Sequence, residues 1–400
     1  MNTLENNSKN NKTWRKMKLG EIVNIKMGQS PSSQFYNSRG EGLPFYQGIT
    51  DFGSKYPNKS VYCTNTIKIA EKGEILFSVR APVGEVNVAI EKSCIGRGIA
   101  GLFMKNKNNE FLYYLLKYHT QYFKSISGGT TYESIGKDQI AEIELLIPED
   151  INEQRRIADI LFAFDDKIEV NNKIIKTLEE MAQEIFKEWF VRFRFPGWQK
   201  VKFVNSELGK IPEGWKASIL EEIMNLRREK FKSYNEWKNE KLLDLGRFPQ
   251  KSLAINEHGK GEEIKTSAFK FYKGDILFGA VRPYFHKVVI APFDGVTNKS
   301  VFVIFPKKQE FYSYLITILF SESTINYATN MASGTKMPVL KYEDLANMNI
   351  VLPDFKILSV FNEIVDKFYK ILIEKVEENQ KLVALRDLLL PKLMSGEIRV

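Results

Sequence analysis

The sequence predicts an α+β fold in which two tandemly repeated mixed α/β domains are separated by two long antiparallel coiled-coil helices. Three observations carry this. The chain repeats itself at an offset of about 200 residues, each repeat ends in a long heptad-patterned segment, and the repeats read as short strands punctuated by Gly, Pro and Asn. Trp14-Arg15-Lys16-Met17-Lys18-Leu19-Gly20-Glu21-Ile22 recurs as Trp215-Lys216-Ala217-Ser218-Ile219-Leu220-Glu221-Glu222-Ile223. Lys72-Gly73-Glu74-Ile75-Leu76-Phe77 recurs as Lys273-Gly274-Asp275-Ile276-Leu277-Phe278. Gly129-Thr130 and Pro148 match Gly334-Thr335 and Pro353 in the same order, so the chain is a tandem duplication.

The polar start, residues 1–12, reads as a flexible tail, and no apolar run approaches the ~18 residues of a membrane span. The first domain is expected over 13–150. Glu74–Val79, Glu85–Ile90, Gly98–Phe103 and Ile140–Ile147 read as strands, the last from the alternation of Ala141, Ile143, Leu145 and Ile147. Asn109–Phe123 has helical spacing. The first long helix is expected over 151–195, with a seam of Ile157, Leu161, Phe164, Ile168, Asn171, Ile175, Leu178, Ala182, Ile185 and Trp189. Asn171 on that seam either fixes register against a partner helix or lies in solvent at a heptad break. The second domain is expected over 196–355, with a strand from the alternation of Ala346, Met348, Ile350 and Leu352. The second long helix is expected over 356–400, through Phe361, Val365, Phe368 and Leu372. It then turns polar through Lys375 to Lys381 and resumes at Leu382, Leu385, Leu389 and Leu393.

Composition narrows the function. Two cysteines and three scattered histidines argue against a disulfide scaffold or a zinc cage, so no metal site is expected and the setting reads as cytoplasmic. The net charge is +9, and it sits in the globules. Residues 1–150 carry 19 basic and 15 acidic groups and 196–355 carry 23 and 18, whereas 151–195 (8 and 9) and 356–400 (8 and 7) are near neutral. Basic globules on neutral helices point weakly to a phosphate-bearing partner.

Catalytic motifs fail one by one. Gly96-Arg97-Gly98-Ile99-Ala100-Gly101 fits G-x-G-x-x-G, but strand-like sequence follows where a nucleotide fold needs a helix, and the later acid is missing. No Gly-Lys is followed by Ser or Thr, and Gly-x-Ser-x-Gly is absent. No catalytic residue is assigned. What remains are polar loops at equivalent places: Val79-Arg80-Ala81-Pro82-Val83-Gly84 and Val281-Arg282-Pro283-Tyr284-Phe285-His286, Ser127-Gly128-Gly129-Thr130-Thr131-Tyr132 and Ala332-Ser333-Gly334-Thr335-Lys336. Arginine suits guanine edges, amides and hydroxyls suit bases and phosphates, and glycine allows close approach. The candidate DNA contacts are therefore Gln29, Ser30, Gln47, Arg80, Arg97, Thr130, Thr131 and Tyr132 in the first half, and Arg282, Tyr284, His286, Lys299, Thr335 and Lys336 in the second. The ordinary alternatives are arginines that hold buried carboxylates and Gly-Thr pairs that cap helices.

The run Asn171-Asn172-Lys173-Ile174-Ile175-Lys176-Thr177-Leu178-Glu179-Glu180-Met181-Ala182-Gln183 to Lys187-Glu188-Trp189-Phe190 resembles the specificity (S) subunit of type I restriction–modification systems. Ser206-Glu207-Leu208-Gly209-Lys210-Ile211-Pro212-Glu213-Gly214-Trp215 and Leu388-Leu389-Leu390-Pro391-Lys392-Leu393-Met394-Ser395-Gly396-Glu397-Ile398 are similar in the same way. The resemblance implies two target-recognition domains that read the halves of a bipartite double-stranded DNA site, with the helices as a ruler. It implies docking of two methyltransferase (M) subunits and of restriction (R) subunits, for which Trp189 and Phe190 are the candidate docking residues. S-adenosylmethionine, ATP and Mg would then belong to the partners, with no cofactor in this chain and no membrane partner. Two other classes stay open from the residues alone: a self-contained DNA methyltransferase or nuclease, and a coiled-coil protein scaffold.

Overall fold

The computed structural model describes residues 14–127, 134–265 and 267–400, apart from the side chains of residues 126 and 127. The chain divides into two compact units. One comprises residues up to Asp166 together with Val383–Val400, and the other comprises Lys167–Leu382.

The first unit is built on a four-stranded antiparallel sheet with the order Val23–Met27, Ile99–Met104, Ile75–Ser78, Val86–Val88. The second unit repeats that order with Met224–Leu226, Val301–Pro306, Ile276–Gly279 and Val288–Ile290. Equivalent residues occupy equivalent registers: Ile75 lies opposite Leu102, and Ile276 opposite Ile304. A part-buried ion pair is duplicated beside it. Lys26 Nζ meets Glu74 at 2.9 Å and Arg227 Nε meets Asp275 at 2.9 Å, each pair displaced by the repeat. Each unit has a second small sheet with one parallel pair, Phe45–Tyr46 along Cys94–Ile95 and Leu242 along Val296.

A two-stranded ladder closes each unit, Trp14–Lys18 with Glu144–Pro148 and Lys216–Ile219 with Asn349–Leu352. These strands are shorter than the alternation implied. Lys137–Glu142 and Tyr342–Ala346 are helices, so Ala141 and Ala346 are helical. The physical reason is local: Gly136 N–H donates to Gln139 Oε1 at 2.8 Å and starts a helical turn, and Ile140 and Ile143 suit a turn's i, i+3 face as well as a strand's alternation. The helix over Asn109–Phe123 is interrupted at His119, giving Asn109–Tyr118 and Thr120–Ser127.

The long helices run over Ile151–Phe186, extended by a wider turn to Val191, and over Phe355–Met394. At 1.5 Å per residue the first is about 54 Å long. In the second unit they pack antiparallel: Asn171 opposes Asn379, while Phe190 lies 4.9 Å from Phe361 between ring centroids. Asn171 is fully buried and its Nδ2 donates to Asn379 Oδ1 at 2.9 Å, and Asn379 Nδ2 donates to Asn172 Oδ1 at 2.9 Å. Burial and this pairing exclude the solvent role for Asn171 and place it against a partner helix.

The seams themselves differ from the expected ones. Asp165 and Glu179 are buried beside the partly covered Phe164 and Leu178. In the second helix Val376 and Asn379 are buried within the stretch expected to be polar, and Leu385 is exposed while Arg386 turns inward. The cause is pairing, because each inward polar group finds a partner there. Within each unit the tryptophan at or just before the first ladder strand also meets the segment just past the end of a long helix. Trp215 stacks on Phe195 just past the first helix, with centroids 5.0 Å apart, and the Trp14 ring lies 3.1 Å from where a Cβ on Gly396 would sit, just past the second.

Candidate DNA-reading loops

In the first unit the sheet edges bring several predicted residues together. Gly28 N–H donates to Ile99 O and Gln29 N–H to Ile95 O, both at 2.9 Å. Gly96 N–H donates to Tyr46 O at 2.8 Å, and Arg97 N–H to Ser30 Oγ at 3.2 Å. The approach is so close that a Cβ on Gly28 would lie 2.2 Å from Gly96 O, and one on Gly98 2.2 Å from Gln47 O. Glycine is obligatory at both, which accounts for Gly98 of the Gly96-Arg97-Gly98 run without a nucleotide. Strand, not helix, follows it. The exposed Gln29, Gln47 and Arg97 and the half-buried Ser30 thus share one patch. Val79 N–H donates to Gly98 O at 2.9 Å and Ile135 N–H to Val79 O at 3.0 Å, which ties exposed Arg80, bridged to Ser134, to the same end. Thr130, Thr131 and Tyr132 lie outside the described residues.

The second unit repeats this ladder. Ala280 N–H donates to Ser300 O and Leu340 N–H to Ala280 O, both at 2.9 Å. Exposed Lys299 therefore takes the place of Arg97. The ladder also corrects a correspondence. Val281, bridged to Val339, takes the place of Arg80, so Arg282 is one residue further on, with φ 52°. Arg282 N–H donates to Pro338 O at 2.8 Å and its Nη2 to Lys336 O at 3.2 Å, which holds Arg282 against the loop of Thr335 and Lys336.

Some candidates do not belong to this surface. His286 is 4% exposed, its Nε2 is 2.9 Å from Phe320 O, and burial lowers its pKa, so it cannot reach a base edge. Phe190 is 5% exposed among Phe186, Trp215, Tyr314 and Phe361, and Trp189 packs on Phe361 at 5.9 Å. Phe190 belongs to the core of the second unit and half-buried Trp189 packs against it, so the two do not form an exposed docking face. Tyr284 is exposed, as expected.

Two cations were missed. Arg228 and Lys230 line a groove of about 560 Å³ with Lys299, Phe269 and Phe302. Lys230 stands at the repeat position of Gln29, so the offset of 201 already contained it. Its neighbour Arg227 is structural: its guanidinium lies 4.6 Å from the Tyr272 ring and 4.5 Å from that of Phe305 while it pairs with Asp275. Among the described residues no cluster of three or more His, Cys, Asp or Glu suits a metal ion, and no helix is long and apolar enough to cross a membrane.

The sequence profile of the type I restriction modification DNA specificity domain matches residues 11–180 and 212–384. The chain is 30% identical to the type I restriction enzyme MjaIX specificity subunit of Methanocaldococcus jannaschii, over 97% of this chain and 94% of that one. It is 25% identical to the HindI specificity subunit of Haemophilus influenzae, over 83% of this chain and 88% of that one. The crystal structure of a type I S subunit from M. genitalium has the same fold, with a TM-score of 0.60 at 19% identity, covering 95% and 96% of the two chains. The duplicated domains, the paired helices and these matches make the chain a member of the type I restriction–modification specificity (S) subunits, the non-catalytic subunits that recognise the DNA target.

Proposed function

We propose that the two domains, over 13–150 and 196–355, each read one half of a bipartite double-stranded DNA site, and that the paired helices set the spacer. The repeated backbone ladder carries this reading. It builds a loop cluster at the same end of both sheets and arms each with exposed side chains that suit nucleic acid: Gln29, Gln47, Arg80 and Arg97 in one, Lys230, Lys299 and Lys336 in the other. Two M subunits would bring S-adenosylmethionine and methyl transfer, and R subunits ATP- and Mg-dependent translocation and cleavage, in the cytoplasm. With Phe190 buried and Trp189 half-buried against it, docking of M subunits falls to exposed apolar side chains such as Leu385 and Leu388 on the second helix.

Methylome sequencing of a host carrying this chain and its M subunits tests the reading. Arg97→Ala relaxes one half-site and Lys299→Ala the other, each by about 1–3 kcal/mol if the contact is to a base. Uniform weakening on all DNA would make these phosphate contacts. A single substitution that altered both half-sites would refute the division of labour.

A further inference from the structure

The second unit carries an apolar surface at its reading end. Met337 is 56% exposed, Tyr284 49%, Val339 43% and Met331 42%. They sit on a fixed scaffold. Ser333 and Val339 exchange backbone hydrogen bonds of 3.1 and 2.9 Å, closing a loop in which Gly334 adopts φ 110°. Arg282 holds that loop through Pro338 O and Lys336 O, and the helix Glu322–Met331 packs on the Pro283–Phe285 turn that bears Tyr284.

A clustered apolar surface of this kind marks an interaction site. Here it adjoins exposed Lys336 and Arg282, which holds the same loop, so its occupant combines negative charge with an apolar group. On duplex DNA the C5-methyl of thymine is the apolar group that a base pair displays in the major groove. In the same register the first repeat has Gly128-Gly129-Thr130-Thr131-Tyr132-Glu133-Ser134 against Ser333-Gly334-Thr335-Lys336-Met337-Pro338-Val339, so Tyr132 stands at the position of Met337 and Ser134 at that of Val339. Resting on the half-site reading above, we infer that Met337 and its apolar neighbours contact a thymine methyl in the half-site read by the second unit, so that this half-site contains an obligatory T·A pair and the loop discriminates it by the methyl.

The test uses the full chain with its M subunits and duplexes bearing the methylated motif. Each thymine of that half-site is replaced in turn by deoxyuridine, which removes the methyl alone. One replacement is expected to weaken binding about fourfold, the fold-change equivalent to about 0.8 kcal/mol for one methyl-sized group. Met337→Ala is expected to lose that factor on the thymine duplex and to become indifferent to deoxyuridine, while Met337→Leu keeps the discrimination. Deoxyuridine in the other half-site should act equally on wild type and Met337→Ala. A half-site without a T·A pair, or unchanged methyl discrimination in Met337→Ala, overturns the inference while leaving half-site reading intact. Absence of any sequence-specific binding overturns that reading, and the inference with it.

Discussion

The first long helix meets two different chemistries in the two units. In the first, Asp165 is buried and ionic. Tyr114 Oη donates to its Oδ2 at 2.6 Å, Arg386 Nη1 to its Oδ1 at 2.6 Å, and Lys55 Nζ lies 3.7 Å away. In the second, Glu179, exactly two heptads on, accepts from Ser252 Oγ at 2.8 Å and Leu253 N–H at 2.6 Å and faces no cation within ion-pair distance among the described residues. Burial would raise the pKa of Asp165, but the bonds from Tyr114 and Arg386 and the charges of Arg386 and Lys55 hold it below the usual carboxylate range. Burial wins at Glu179, against the bonds from Ser252, Leu253 and Ala254, and its pKa is pushed up to about 7. One heptad position thus serves two purposes: a permanent ion pair in one unit and a titrating acid in the other.

Breaking the ionic side should have the largest effect. Arg386→Ala leaves Asp165 buried without its guanidinium and should cost about 3–5 kcal/mol in denaturant unfolding. Adding Asp165→Ala should recover part of that loss. A cost below ~1 kcal/mol would mean that the pair contributes no more than a surface bridge.

The titrating side predicts the opposite dependence on pH. A carboxyl with a raised folded pKa binds protons more tightly than the unfolded chain, so its contribution is greatest below about pH 4.5 and is lost as pH rises through about 7. Asp165 behaves inversely, stabilising above its unfolded pKa and losing that contribution only as pH falls through its depressed value. Between pH 5 and pH 8 the Glu179 contribution should fall by up to about 3 kcal/mol. Hydrogen exchange at the Leu253 amide, corrected for its intrinsic rate, should report this. Glu179→Gln should flatten the profile while keeping the acceptor for Ser252 and Leu253, and a profile unchanged in that variant would count against Glu179 as the titrating group.

Between these two acids lies the asparagine pair, where a smaller effect is expected. Asn171→Ala leaves Asn379 Oδ1 without its donor in a buried site and should cost about 1–2 kcal/mol. Chemical unfolding of the Asn171→Ala and Asn379→Ala singles and the double would give a coupling energy, and additivity would mean that the pair is energetically silent.

These sites show what the sequence could and could not disclose. The duplication, the sheet strands and the long helices were legible because they rest on apolar periodicity and on repeated blocks such as Lys72–Phe77 and Lys273–Phe278. Asp165, Glu179 and Arg386 were not, because a charged residue beside a seam reads as solvent-facing until its partner, more than fifty residues away, is known. The loop cluster was half legible. Gln29, Ser30, Gln47, Arg80 and Arg97 could be picked out by residue type but not by their convergence, and the shared Val-Arg pattern hid the one-residue shift that places Val281 opposite Arg80. His286, Trp189 and Phe190 were misjudged because exposure depends on tertiary packing, which a motif does not carry.

Two independent readers on one helical spacer would keep their bases when only the spacer is lengthened. Seven residues inserted after Lys176, and seven after Glu374 opposite it, add one heptad and about 10 Å to each helix while preserving the direction of the seam. With the same M subunits, the methylated motif should keep both half-sites base for base, and its spacer should grow by about three base pairs if the rise is fully transmitted at ~3.4 Å each. An active variant that kept the original spacer would show that the helices do not set the distance, and one that changed the bases of either half-site would show that the readers are not independent of it.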